Sequence, residues 1–479
     1  MSGSSLSTIR WLTFGCAVAA RVLCTSTADA QVESTSAVVR GSAGGNDSNS
    51  RDRIDLDSLI ARAIAVNPRI TAARRRVDAA RARVGPAGAR PDPMLMAGIQ
   101  NQPLGREAPT VSAHGTTSSG PDPMTMHMIG ISQTILYPGK LKLRTEATAR
   151  EVDAAIAALD DARLTVTRDV RTTYYELAYL DQALRIAQEN QAVLTDIIRV
   201  TESHYASGSG RQQDILKARL DIGRLAQDVN ALREQRRAQL AGLNALLDEP
   251  DTTPISGVSV PERIARAAVP DSAHHVRFTS NAFGAAAADS PLPSLATLQA
   301  MAITNNAMLR EHELRIAGQT ARVALAEKAT KPDVDVSLQY GQRSGLTDMI
   351  SAVVSVPIPI QHRRKQDEDV AAARAELDAL RAEHHSTVND LRARVAKLYA
   401  DLERQRTQLA LDVKAILPQG RATLSATTAS YQAGKTDILT LLDSQSAFFT
   451  YEISYYRALS DFGQTLAELE SVVGKEVLP

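Results

Sequence analysis

The stretch PDPMTMHM, Pro121 to Met128, gathers Met124, Met126, His127 and Met128. Thioether and imidazole groups suit soft cations such as copper or silver. Methionine at the start of a strand is more often plain apolar fill, so no metal site is expected from this run. His274-His275 and His384-His385 are adjacent pairs; sequence neighbours on a helix point apart and make poor ligand pairs. The glycines of GSG, Gly208 to Gly210, follow no strand, so they do not form a dinucleotide loop. The chain contains no nucleophile elbow, no HExxH and no Walker sequence. It does not read as an enzyme, and no cofactor is expected. The basic runs Arg74–Arg76 and His362–Lys365 lie on or beside helices as solvated faces. A net charge of +0 gives no electrostatic case for nucleic acid.

What remains are residues that shape the chain. HYASGSGRQQDIL (His204–Leu216) and SYQAGKTDIL (Ser430–Leu439) write one turn twice: Tyr, a spacer, Gly, a polar gap, then Asp-Ile-Leu. Gly208 and Gly434 can adopt positive φ and end a helix without strain. Thr436 and Asp437 suit the N-cap of the helix that follows. From Leu141 to Ser207 there is no Gly or Pro, enough for a helix roughly 100 Å long at 1.5 Å per residue. Val152, Ile156, Leu159, Val166, Val170 and Leu177 begin a narrow coiled-coil stripe in steps of three and four. Val388, Leu391, Val395, Leu398, Leu402 and Leu409 repeat it, and Pro418 with Gly420 predicts a bend. Helices return from Gln212 to about Leu247 and from Thr436 to about Val473. Each turn is thus the tip of a long helical hairpin.

The elements before each hairpin also repeat. An amphipathic helix from Asp55 ends near Gly85-Pro86, and its counterpart begins at Ser294, with Asn67 and Asn305 at matching points. Pro91-Asp92 and Pro332-Asp333 follow, then strands. MLMAGIQ and MIGISQTIL serve the first half. DVDVSLQY and ISAVVSVPI serve the second, with Val334, Val336, Leu338 and Tyr340 on one face. These strands approach the 9–11 residues that cross a bilayer. Four strands cannot close a barrel alone, and open edges are not tolerated in lipid, so several copies must join.

The first thirty residues read as an export signal. Arg10 is the positive end, WLTFGCAVAA the apolar run, and Ala28-Asp29-Ala30 a small-x-small cleavage site. Both cysteines, Cys16 and Cys24, fall within it, so disulfides play no part in the exported chain. No later segment is a membrane helix. The expected organisation is a signal peptide at 1–30, a disordered polar segment at 31–53, a first repeat at 54–248, a Pro-rich linker or equatorial segment at 249–291 and a second repeat at 292–479.

From Asp55 to Gly474 the chain resembles the outer-membrane efflux channels of the TolC type. The resemblance rests on the two-fold repeat, on GISQTILYPGKLKLR (Gly130–Arg144), on YASGSGRQQDIL and on YQAGKTDILTLLDSQ (Tyr431–Gln445). The Pro138-Gly139-Lys140 junction between strand and helix is similar to that of channels paired with heavy-metal and drug pumps; PIPIQHRRK in the second half departs from it. The resemblance implies a mainly α fold with a small β-barrel portion and a homotrimer. It also implies an outer-membrane location with a periplasmic extension, a periplasmic adaptor and an inner-membrane pump as partners, and passive conduction of metal ions or small toxic compounds. It implies further that Tyr205, Gly208, Tyr431 and Gly434 lie at adaptor-contacting hairpin tips. Asp214 and Asp443 would stand at the periplasmic entrance, where a ring of like charges favours cations. Asp214 as a carboxylate at a helix N-terminus and Asp443 on a solvated face remain open alternatives. So do a soluble periplasmic coiled-coil adaptor or scaffold, and the same channel fold serving protein secretion.

Overall fold

The computed structural model describes residues 55–101, 125–208, 210–255, 257–269, 292–343 and 346–478. The expected signal peptide and polar segment, His274-His275 and Met124 lie outside them. Two similar runs of elements follow one another. The first is α1 (Leu56–Val66), α2 (Pro68–Gly88), β1 (Met94–Gln100), β2 (Met126–Ile135), α3 (Lys140–Ala206) and α4 (Gln212–Leu246). A short α5 (Glu262–Ala268) intervenes. The second run is α6 (Leu295–Asn305), α7 (Ala307–Lys328), β3 (Val334–Arg343), β4 (Met349–Ser355), α8 (Gln366–Leu411), α9 (Leu417–Gln432) and α10 (Ile438–Val473).

The helix expected from Asp55 is two helices, α1 and α2, broken at Asn67. The Asn67 side chain accepts from Arg69 N–H at 2.9 Å and donates to the Leu246 carbonyl at 2.9 Å. Asn306 does the same between α6 and α7, accepting from Leu309 N–H and donating to the Val472 carbonyl at 2.9 Å. The residue matching Asn67 is therefore Asn306 and not Asn305. Each of these buried asparagines satisfies one orphan N–H of its own helix and one orphan carbonyl at the end of a hairpin's return helix. Helix α2 also runs past Pro86 to Gly88, with one N–H bond missing from its last turn at the proline.

Helix α3 spans 67 residues without interruption. On α8 the ladder shifts to a π segment at Asp412–Ile416, immediately before Pro418 opens α9. The wider turn takes up the missing N–H and the ring of Pro418, so the expected bend is a π-bulge. Two apolar cores hold the helices together. One joins Val166, Tyr175, Leu177, Leu402, Phe462 and Leu466 with α1, α6 and the chain end. The other joins Leu194, Leu225, Tyr431, Leu441 and Leu442 near the hairpin tips. The stripes are narrow, as α3 shows: Val166, Val170, Leu177 and Leu180 are buried while Ile156 is exposed.

The chain end is tied to the first core by charge. Arg171 Nη1 donates to Glu470 at 2.5 Å and Nη2 to Glu476 at 2.7 Å, while Val477 N–H donates to Glu470 at 3.1 Å. Burial pushes the Glu470 carboxyl up, against the pull of the Arg171 guanidinium. Glu476 is held below the usual carboxylate range by its bond from Arg171, with burial opposing.

The four strands form one antiparallel meander in the order β1-β2-β3-β4, so β2 of the first run pairs with β3 of the second. No helix among the described residues is long and apolar enough to cross a membrane.

Candidate functional site

The sheet presents its faces in reverse of a sheet that covers a soluble core. Leu95↔Ile131, Ile131↔Leu338 and Leu338↔Ala352 are cross-strand partners and share one face. That face is open to the surroundings: Leu95 is 75%, Ile350 76% and Val354 65% exposed. The opposite face carries Ser132, Thr134, Ser337, Gln339 and Ser351, and is the more sheltered side on β2 and β3. An apolar outer face and a polar inner face are what a barrel wall in lipid requires. The same alternation parts His127 from Met126 and Met128: His127 pairs with Ile99 on the apolar face, its neighbours with Gln100 and Gly98 on the polar one. The grouping of imidazole with thioethers suggested by PDPMTMHM is therefore split by the pleat.

At the foot of the sheet, Pro138-Gly139-Lys140 turns β2 into α3. Gly139 takes φ +89° at the N-cap, and a Cβ there would lie 2.3 Å from Lys328 Nζ. Lys140 is buried, and its ammonium donates to the Lys331 carbonyl at 2.8 Å and to Asp333 at 2.9 Å. Tyr137 N–H donates to the same Asp333 oxygen at 2.7 Å. These bonds outweigh partial desolvation and hold the Asp333 carboxyl below its ordinary range. The junction thus clamps the strand-to-helix turn of one repeat onto the helix-to-strand turn of the other. Asp333 was visible as one of two Pro-Asp pairs, but its partner was not, because nothing local links positions 140 and 333. The second junction lacks this device: Ile358 and Ile360 are 80% and 86% exposed there.

At the far end, the two tips close alike. Gly208 (φ +75°) and Gly434 (φ +69°) receive their helix ends through N–H bonds of 3.0 Å to the carbonyls of Tyr205 and Tyr431. The tyrosines diverge. Tyr205 is exposed, whereas Tyr431 is buried, its hydroxyl 3.3 Å from that of Thr201 and its ring 5.6 Å from His204. Asp214 accepts from Arg211 N–H at 3.4 Å, the role of a carboxylate at its own helix N-terminus. Its counterpart in the repeat, Asp437, caps α10 through Thr440 N–H at 3.1 Å. The bonds from Thr440, with the nearby Arg211 charge from the other tip, hold Asp437 below the usual range. Asp443 is exposed, one turn into α10. Behind it Gln445 donates to Asn190 at 2.7 Å, a buried amide pair across α10 and α3 that sequence periodicity gave no means of pairing.

Among the described residues no three His, Cys, Asp or Glu side chains form a group that could hold a metal ion. His384 lies not with His385 but across from His312 on α7, ring centroids 6.5 Å apart.

The comparisons agree with this geometry. The profile of the family described as outer membrane efflux protein matches residues 59–249 and 298–475. Nodulation protein T of Rhizobium leguminosarum bv. trifolii is 23% identical over 71% of this chain and 70% of its own. The pyoverdine export outer membrane protein OpmQ of Pseudomonas putida is 24% identical over 67% of this chain and 64% of its own. Among solved structures, the outer-membrane channel OprN superposes with a TM-score of 0.70 at 18% identity, covering 88% of this chain and 91% of its own. VceC of Vibrio cholerae gives 0.69 at 16%, covering 88% and 96%. The fold is that of an outer-membrane channel built on long helical hairpins, it is a conduit and not an enzyme, and the chain belongs to the outer membrane efflux protein family.

Proposed function

We propose that this chain is the outer-membrane exit duct of a tripartite efflux system. It would assemble as a homotrimer and receive small toxic compounds or metal ions from an inner-membrane pump and a periplasmic adaptor. The observation that carries the proposal is the sheet with its apolar face outward: a soluble adaptor or scaffold would leave that surface in water. The meander also ends on two open edges, β1 and β4. Those strands run in opposite directions, so β4 of one copy can pair antiparallel with β1 of the next, and a ring of copies satisfies every edge. Three copies of four strands exceed the eight that a single-chain barrel needs. The hairpin tips, with Tyr205, Gly208, Tyr431 and Gly434, would then form the periplasmic mouth and meet the adaptor, and Asp443 would face the opening.

Expression in a Gram-negative host, separation of the membranes and sizing of the detergent-solubilised protein test this. A trimer in the outer-membrane fraction is expected. A monomer released by osmotic shock would overturn the reading.

A further inference from the structure

The polar face of the sheet holds a distribution of one residue type that a duct wall does not need. Five methionines occur in the described strands: Met94, Met96, Met126, Met128 and Met349. All five fall on the polar face. Met94 pairs with Ser132, Met96 with Gly130, Met128 with Gly98 and Gly341, Met126 with Gln100 and Arg343, and Met349 with Gly341. The apolar face carries Ile, Leu, Val and Ala together with His127, Gln133, Tyr340 and Gln342, and no methionine among the described residues. Were methionine serving as apolar fill, the lipid side is where it would stand.

Their arrangement is a ladder. Met94, Met96, the pair Met128 and Met349, and Met126 occupy four successive rows of the face, about 7 Å apart along the strands. In the third row, Met128 and Met349 flank Gly341 across about 10 Å of sheet, with no side chain between them. The sulfur of Met126 lies over the same glycine, 3.0 Å from the point its Cβ would occupy. Three flexible thioethers can thus converge above Gly341, those of Met126 and Met128 half-buried and that of Met349 exposed, with Met96 and Met94 in the rows beyond.

We infer that Met126, Met128 and Met349 form a thioether site over Gly341 for a soft monovalent cation of the silver(I) or copper(I) class, with Met96 and Met94 as further steps along the wall. Thioether sulfur selects such ions over hard ones. Neutral ligands spaced at single rows hold an ion weakly enough to release it to the next, as conduction demands. The inference rests on the duct reading and narrows it to a substrate class.

Silver(I) is the probe, since it needs no reductant. The protein purified from the outer-membrane fraction, treated with N-ethylmaleimide to block any thiol of a retained leader, is titrated with silver nitrate in chloride-free buffer. It is compared with Met126→Leu/Met128→Leu/Met349→Leu and with Met301→Leu/Met308→Leu on the helices. Leucine conserves volume, and the single variant Met126→Leu serves if the triple variant does not assemble. The expected result is at least a tenfold weaker silver affinity in the sheet variant and none in the helix variant. Equal isotherms for all three would overturn the site. In planar bilayers silver should reduce potassium conductance of the unaltered protein and not of the sheet variant. Channels indifferent to silver would sink the thioether site and leave the duct standing. Methionine-dependent silver binding by a protein that forms no channels would sink the duct alone.

Discussion

Lys140, the first residue of α3, donates to Asp333, at the foot of β3, across 2.9 Å. It is the one point described where a buried ammonium ties the two repeats together beneath the sheet, and removing it has two consequences. Lys140→Met leaves the Lys331 carbonyl and the Asp333 carboxylate short of a donor, at a cost of about 1–3 kcal/mol. Loss of heat-resistant oligomer at a lower temperature, by gel electrophoresis without boiling, is the measurement. The pH dependence follows from the sign of the shift. A carboxyl whose folded pKa lies below its ordinary 3.8 contributes stability present above that value and lost as pH falls through the folded pKa. The difference between the parent protein and Asp333→Asn should therefore narrow below about pH 4.

Gly139 and Gly434 both hold positive φ, but only one is crowded. Gly434→Ala meets nothing within 4 Å and costs only the left-handed backbone strain, about 1–2 kcal/mol. Gly139→Ala carries the same strain and also displaces the Lys328 ammonium from its 3.4 Å bond to the Pro138 carbonyl. Thermal unfolding should rank Gly139→Ala below Gly434→Ala; the reverse order would contradict the junction geometry.

How far such relationships can be read from sequence depends on their range. The hairpins, the four strands and their faces were legible because periods of 3.5 and 2 are local. The tip glycines were legible because positive φ leaves few choices of residue. The break at Asn67 was missed because Asn-Pro sits inside an unbroken apolar pattern. Its meaning lies in a carbonyl at Leu246, far along the chain. The pairs Lys140 with Asp333, Asn190 with Gln445 and Thr201 with Tyr431 were hidden for the same reason. The methionine ladder was half visible: PDPMTMHM drew attention, but strand register was needed to separate His127 and to add Met96 and Met349.

Arg171 and Glu470 pair deep in the first core. Arg171→Met strands a buried carboxylate and should cost about 3–5 kcal/mol, whereas Arg171→Met with Glu470→Leu should recover part of it, the Val477 N–H and Glu476 still losing their partners. Denaturant unfolding of the two single variants and the double variant closes the cycle. If the double variant is as unstable as the sum of the singles, the two residues do not act as a pair.

Tyr431 can be dissected by two substitutions. Tyr431→Phe removes only the 3.3 Å contact with Thr201, whose hydroxyl keeps its 2.8 Å bond to the Ile197 carbonyl, so a loss under about 1 kcal/mol is expected. Tyr431→Ala opens a cavity in the tip core and should cost about 3–5 kcal/mol. Limited proteolysis near the tips should accelerate in the alanine variant alone. Equal acceleration in both would place the holding force in the hydroxyl instead of the packed ring.

Asp443 differs from the other tip carboxylates in what it leaves undone. Asp214 and Asp437 are each engaged with the backbone at a helix start, while Asp443 projects from the exposed face of α10. If three copies bring that face to the mouth of the duct, their carboxylates form a ring whose field raises the local cation concentration. Asp443→Asn should then lower cation selectivity in planar bilayers, measured as reversal potential in a salt gradient, and change single-channel conductance. The effect should be larger at low ionic strength, since the Debye length grows from about 10 Å at 0.1 M to about 30 Å at 0.01 M. A reversal potential unmoved at low salt would place Asp443 on the outer surface of the hairpin.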